Sequence, residues 1–261
     1  AAGLRIDASE GLTLSLGAYS ASAAHTIDQN FGERVRYDIP ADMDLWEAWE
    51  YNEDDGTYSA PPFQAHYVSG IVEAAPYKIF KVTPTLGRNP PDAQLLGLDR
   101  LQYPKVAWWR KDFADKPLGA LMNALGAGDS AAIVSRSFLG QYQLRIGDAF
   151  TLNFESKPID FYVAEAVDYF PGLYPEKGHF FVANLEYIYD QIGMQPYRVW
   201  LKVEPGVKSA DVVEAIRDRQ IKVVSIRDSR LAVNQGRTDP QRTGLFGALT
   251  VGFGVAALLT V

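Results

Sequence analysis

The sequence predicts an α+β fold. Over residues 179–228, strand-like and helical runs follow in the order β-α-β-turn-α-β, which suits a small α/β sandwich, ferredoxin-like in its connections. The 261 residues are 47% hydrophobic and 12% aromatic, enough for a packed core in one large domain or two modest ones. Neither an internal repeat nor a low-complexity segment is present, which argues against a solenoid or a disordered chain.

The elements follow in order. Residues 18–34 (AYSASAAHTIDQNFGER) read as a helix, with Gly32 and Arg34 near its end. VRYDI (35–39) has strand character, and Pro40 follows it. DLWEAWEY (44–51) and TYSAPPFQAHYV (57–68) flank the turn-rich NEDDG (52–56), a hairpin signal. Glu53, Asp54 and Asp55 lack the spacing of a calcium loop and read as a solvated turn. YKIFKVT (77–83) alternates as a strand, and AQLLGLD (93–99) is another. LGALMNAL (118–125) is a short amphipathic helix ended by Gly126. The WWR before it (108–110) reads as a partly buried anchor for that helix rather than as a binding platform.

AAIV (131–134) is a buried strand, Ser135 fits an N-cap, and SFLGQYQL (137–144) is helical. Gly147-Asp148 is a turn, and AFTLNF (149–154) is a strand. IDFYVAEAVDYF (159–170) is a long strand with Phe161, Val163, Glu165 and Val167 on one face, which gives a small antiparallel unit around ESKP. PGLYPEKG (171–178) is a loop. HFFVAN (179–184) is a strand, LEYIYDQIG (185–193) a helix closed by Gly193, and YRVWLKV (197–203) a strand. SADVVEAIRDRQ (209–220) is a helix with Ser209 as N-cap, and IKVVSIRD (221–228) is the last strand.

Net charge is −7, which argues against nucleic acid and against peripheral docking on an anionic membrane surface. With no cysteine, zinc fingers, thiol catalysis and disulfide scaffolds are excluded. His25, His66 and His179 show no metal spacing and read as surface or edge residues. Ser135 and Ser137 lie at a strand-to-helix turn, as a nucleophile elbow would, but IVSRSFL lacks the flanking glycines, so capping is the better account. ALGAGDS (124–130) has no G-K-[ST] and no nearby lysine, so it is not a phosphate loop. No catalytic residue, cofactor-binding residue or metal ligand is assigned, and the chain reads as a structural or binding module rather than an enzyme.

Apolar weight gathers at the two ends. Residues 11–24 are uncharged over 14 residues, too few to span a bilayer. GLFGALTVGFGVAALLTV (244–261) is uncharged over 18, near the lower limit for a span, with Arg237 and Arg242 just outside it. Gly244, Ala248, Gly252 and Ala256 make one small-residue stripe of the kind that lets helices pack closely in lipid. The segment reads as the start of a transmembrane helix.

With these ends in view, DPQRTGLFGALTVGFGVAALLTV resembles the start of the second transmembrane helix of FtsX-like, MacB-type ABC transporter permeases. Four further segments resemble that family in order: 13–45, 95–113, 131–152 (AAIVSRSFLGQYQLRIGDAFTL) and 197–218 (YRVWLKVEPGVKSADVVEAIRD). The resemblance implies a MacB-type periplasmic-core domain of two small α/β lobes between the first and second membrane helices. It divides the chain into 1–30, the end of a first membrane-proximal helix, an extracytoplasmic domain over 31–235, and the helix start at 244–261. Within the domain it groups 31–130 with 179–235 as lobes and sets 131–178 apart as a small β insertion. Asp7 and Glu10 depart from the family pattern, which has about 20 apolar residues before Thr26.

The resemblance also implies a bacterial cell-membrane protein with residues 31–235 outside the cytoplasm. Its partners would be a cytoplasmic ABC ATPase, a second permease copy or homologue, and an extracytoplasmic substrate or partner protein. No cofactor is implied. The domain would couple ATP hydrolysis to export, or to an outside partner, by mechanical transmission. The alternative is a membrane-anchored extracellular binding module for peptide or carbohydrate, motivated by Trp46, Trp49, Trp108 and Trp109.

Overall fold

The computed structural model describes residues 22, 25–54, 56–88, 90–155 and 157–238. These fall into two compact units, one of residues 36–229 and one of the end segments 1–35 and 230–261. The larger unit is built on one nine-stranded mixed sheet, so the predicted α+β class is what the chain forms.

In chain order the strands are β1 (Met43–Glu47), β2 (Glu50–Asn52), β3 (Thr57–Ser59), β4 (Ile71–Pro84), β5 (Ala93–Leu98), β6 (Ala131–Ser135), β7 (Ala149–Phe154), β8 (Lys157–Val167), β9 (Phe180–Asn184), β10 (Arg198–Val203) and β11 (Val223–Asp228). The helices are α1 (25–38), α2 (Tyr103–Val106), α3 (Leu118–Leu125), α4 (Arg136–Tyr142), α5 (Leu185–Ile192), α6 (Ser209–Asp218) and α7 (Ser229–Thr238). The main sheet runs β11-β1-β10-β4-β5-β9-β6-β8-β7, and β2 and β3 form the hairpin predicted around residues 52–56.

β4 is fourteen residues long and changes neighbours along its length. Its first part pairs with β10 as far as Tyr77↔Arg198, and from Tyr77↔Leu98 onward it pairs with β5. Pro76, which has no N–H to give, stands one residue before that switch. At its far end Thr83 and Pro84 meet Asn153 and Leu152 of β7, so β4, β5, β9, β6, β8 and β7 close into a six-stranded ring.

The inward residues of the ring alternate along each strand, apart from a shift in β8. Phe80, Val82, Leu95, Phe181, Val134, Phe161, Phe150 and Leu152 form one apolar cluster with Phe138 of α4 and Leu185 and Ile188 of α5. α5 sits close because β5 carries Gly97, where an added Cβ would lie 2.8 Å from Leu185 Cδ1 and 3.0 Å from Ile188 Cδ1. The sequence grouping makes 131–178 a separate insertion. Instead its strands β6, β7 and β8 are half of this ring, because β9 pairs with β6 and β4 pairs with β7.

The other end of the sheet is a split β-α-β unit. β10 and β11 are both antiparallel to β1, hence parallel to each other, and α6 is the crossover between them. Met43, Leu45, Val199, Leu201, Val212 and Ile216 pack between the sheet and α6. The ferredoxin-like connection expected over 179–228 is met by β10-α6-β11 alone, since β9 and α5 belong to the ring. A third cluster, with Tyr77, Leu96, Val182 and Trp200, lies under α2 and α3.

Four local expectations are corrected. VRYDI (35–39) is not a strand: α1 continues to 38, and Ile39, held out of the helical region by Pro40, ends it. Ser209 is the first residue of α6, with Lys208 at the cap, and its hydroxyl donates to Asp228 instead. Ser135 stands at the N-cap of α4, but its side chain makes no capping bond and accepts from Phe180 N at 3.3 Å. Glu165 does not share a face with Phe161 and Val163, since the β6–β8 register shifts between Ala132 and Ile133. That β-bulge reverses the alternation, so Ala166 faces the ring interior with Val163 and Val167 faces the cluster under α3.

In the smaller unit, the described parts of α1 and α7 lie side by side. A Cβ on Gly236 would fall 2.0 Å from the Phe31 ring, and Gly32 faces Val233 across the same contact. No helix among the described residues is long and apolar enough to cross a membrane. The span assigned to 244–261, and residues 1–21, lie outside the described residues.

Candidate functional site

The larger unit has a chemically distinctive seam where the incoming chain (36–45) runs beside the outgoing chain (223–229). β1 and β11 pair there with Met43 opposite Asp228, Asp44 opposite Arg227 and Leu45 opposite Ile226. Past the ladder, Ser229 N donates to Asp42 O at 3.0 Å and Ser229 Oγ to Ala41 O at 2.7 Å.

Asp44 is the centre of the seam and is fully buried. Arg198 of β10 grips it bidentately, Nε to Oδ1 at 2.9 Å and Nη2 to Oδ2 at 3.0 Å. Arg227 of β11 donates from Nε to Oδ2 at 2.8 Å, and the Tyr77 hydroxyl of β4 donates to Oδ1 at 2.8 Å. One carboxylate thus ties four adjacent strands, β11, β1, β10 and β4. Burying that charge is costly unless its lone pairs are taken up, and here both oxygens are. Burial alone would lower the pKa of Arg198 and of Arg227, but the Asp44 carboxylate outweighs it and holds both above the ordinary arginine value. Burial, then the Asp44 charge, raises that of Tyr77.

The seam extends outward to the last turn of α1. Arg227 Nη1 also donates to Asp38 Oδ2 at 3.0 Å, and the Tyr174 hydroxyl donates to Asp38 Oδ1 at 3.0 Å. Burial, then the nearby Asp38 charge, pushes Tyr174 up to about 12. Tyr37 stands edge-on between Phe113 (5.5 Å) and Tyr174 (5.3 Å), its hydroxyl donates to Leu173 O, and its carbonyl accepts from Gly172 N. Chemically the seam is a clamp. Both oxygens of its carboxylate are bonded, and both arginines are engaged with it. Structurally it joins the two connections of the unit to each other and to the sheet.

The residues singled out from sequence scatter. His25 is exposed on α1, as expected. His66 is not a surface residue: it is fully buried, with Nε2 2.8 Å from Glu47 Oε2 and Nδ1 2.8 Å from Phe63 O. Burial follows because Glu47 points into the same core as Leu45, and its carboxylate needs a partner there. His179 is also buried, at the start of β9, between Ser137 and Gln141 of α4. Among the described residues no group of three or more His, Asp or Glu side chains could hold a metal.

Trp49 packs edge-on against Tyr197 at 4.6 Å, and Trp108 and Trp109 pack against Phe113 at 5.7 and 5.5 Å. Of the four tryptophans suggested as a platform, Trp46 is the exposed one, under Arg198 at 5.7 Å. The glycines of ALGAGDS serve packing: a Cβ on Gly126 would meet the Arg100 guanidinium at 2.9 Å, and one on Gly128 the Tyr162 hydroxyl at 3.0 Å. Sequence reasoning missed Asp44, Arg198 and Arg227. The one available signal was a charged residue inside each of three short apolar strands, and only the register shows that they converge.

No protein-family model matches the sequence, and no curated protein does. Among solved structures the chain is similar to the periplasmic region of MacB from Actinobacillus actinomycetemcomitans, at 11% identity and a TM-score of 0.47, covering 78% of this chain and 96% of that one. It is also similar to the extracellular domain of the noncanonic ABC-type transporter YknZ from Gram-positive bacteria, at 13% identity and a TM-score of 0.43, covering 70% of this chain and all of that one.

Proposed function

We propose that residues 36–229 are the extracytoplasmic transmission domain of a MacB/FtsX-type ABC transporter permease. The observation that carries this reading is the seam: both connections leave the unit side by side, bound to each other and to the sheet through Asp44, Arg227 and Ser229. A domain that only needed tethering would not require its two connections to be clamped together across four strands. A domain that must follow the motion of a helix pair would.

In this reading a cytoplasmic ATPase moves membrane helices that adjoin α1 and α7, and the apolar segment 244–261 is one of them. The unit turns as a body and changes what it grips outside the cytoplasm, which is a substrate, a partner protein or a second permease copy. The ordered family-like segments of the sequence support the assignment, and transmission itself asks no chemistry of the unit.

The test uses the intact transporter with its ATPase. Asp38→Ala combined with Arg227→Ala is expected to leave ATP hydrolysis near the wild-type rate and to abolish export or partner activation. Unchanged output in that double variant would end the reading.

A binding module remains the second reading because one observation favours it. The β2–β3 hairpin carries Tyr51 and Tyr58 in cross-strand contact at 4.9 Å, both largely exposed. Calorimetry with peptides and oligosaccharides decides it: saturable heat that Tyr51→Ala and Tyr58→Ala remove supports binding at the hairpin, and no heat excludes it.

A further inference from the structure

We propose that Ser137 is a covalent modification site, an imidazole-activated hydroxyl that accepts an acyl or phosphoryl group from a small electrophile. The site lies where β6 turns into α4. β6 and the start of β9 are sheet neighbours, so His179, just before β9, meets the first turn of α4. Ser137 Oγ is 3.1 Å from His179 Nδ1, and Gln141 Oε1 is 2.9 Å from His179 Nε2. Ser137 and Gln141 are four residues apart on one helix face, so a single turn of α4 holds both sides of the ring.

The arrangement has the parts that a reactive serine needs. Gln141 Oε1 accepts the Nε2 proton, which turns the Nδ1 lone pair toward Ser137. Phe138 and Tyr142 stand edge-on to the imidazole at 5.5 and 5.9 Å and fix its plane. The imidazole is largely desolvated, which favours its neutral form, while Ser137 is exposed. Ser137 Oγ also lies 3.3 Å from Ser135 Oγ, to which it can donate, and Ser135 Oγ accepts from Phe180 N, so Ser135 stands where it can give its own proton to Ser137 Oγ once the Ser137 proton passes to His179.

The reaction conserves atoms and electrons. With an activated ester or thioester, Ser137 Oγ bonds to the carbonyl carbon, the carbon–leaving-group bond breaks, and the hydroxyl proton passes to His179 Nδ1 and on to the leaving group. With a phosphorofluoridate, Oγ bonds to phosphorus, the P–F bond breaks, fluoride departs, and the proton goes through Nδ1 to solvent. One addition per chain is all that the site requires, so it is compatible with a domain whose main task is mechanical.

The experiment treats the full chain with diisopropyl fluorophosphate, follows the adduct by intact mass, and locates it by peptide mapping. One adduct is expected, on Ser137, and Ser137→Ala should abolish it. His179→Gln keeps a polar, hydrogen-bonding side chain but no base, and should slow labelling about 100-fold. Gln141→Leu should slow it as well and should mix the two imidazole tautomers in nitrogen NMR, a signal that a purely packing role would leave alone. Should His179→Gln fail to fold by circular dichroism, the Gln141→Leu comparison carries the test. Labelling of Ser137 no faster than that of exposed Ser59, or at the same rate with and without the intact imidazole contacts, overturns the proposal.

Discussion

The two ends of the nine-stranded sheet are held together by opposite means. The closed ring is lined with Phe80, Phe150, Phe154, Phe161 and Phe181. The split β-α-β end buries Asp44, Glu47 and His66, and Asp44 links strands there while Glu47 pairs with His66. Apolar packing is strong but non-directional, and it tolerates small slippage between elements. A bidentate arginine on a buried carboxylate is directional and holds register. The difference teaches where rigidity matters. The ring needs volume filled, whereas the seam needs Asp38, Asp44 and Arg227 in fixed relative positions.

Five experiments sharpen or break that comparison. The largest effect is expected from Phe181→Ala, which opens a cavity among Phe138, Phe150 and Leu95 and should cost about 4 kcal/mol in urea unfolding. A loss under 1 kcal/mol would mean that the ring is not the apolar core described. Asp44→Ala should cost about 3 kcal/mol, because two arginines are left without their shared carboxylate. If Asp44→Ala were neutral, the seam would not be a clamp.

Gly97→Ala is expected to cost about 2 kcal/mol by pushing Leu185 and Ile188 of α5 off the sheet. Arg227→Lys keeps the charge but not the fork that spans Asp44 and Asp38, and should lose about 1 kcal/mol. A variant as stable as the wild type in urea would mean that the fork does not hold the two carboxylates together.

The smallest effect concerns pH. Burial lowers the His179 pKa below the ordinary histidine value of about 6.5. The unfolded chain therefore binds a proton more readily than the native one, so stability falls as pH drops from about 6.5 toward the native pKa. Above that window His179 contributes no pH dependence. The difference between wild type and His179→Gln in a pH series of urea midpoints checks the sign. A wild type that loses no more stability than the variant over this window would contradict the burial of His179.

Much of the ring was legible in local pattern. Leu118–Leu125 was predicted to the residue as α3, because an amphipathic run between Pro117 and Gly126 has clear punctuation. The apolar run Ala93–Leu98 was likewise read as a strand, and it is β5. The failures have one cause, distant partners overriding local preference. Val35 and Ile39 suggested a strand, yet Tyr37 is fixed by Phe113 and Tyr174 from far along the chain, and the helix runs on. Glu165 was placed on the wrong face because a bulge opposite Ala132 and Ile133 leaves no mark in composition. The candidate site was the least visible part. Asp44 and Arg227 are 183 residues apart in sequence, and nothing local says that they face each other.

By itself the sequence determined the class of the fold, the order of most of its elements, and the absence of any cysteine chemistry. These follow from period, punctuation and composition, which are properties of neighbouring residues. Only the tertiary structure decided that β4 closes a ring with β7, that His66 and His179 are buried, and that the two ends of the larger unit are clamped through one carboxylate. Those depend on strand register and sheet closure, which are set by the summed burial of residues distant in sequence, and a one-residue slip would undo every one of them.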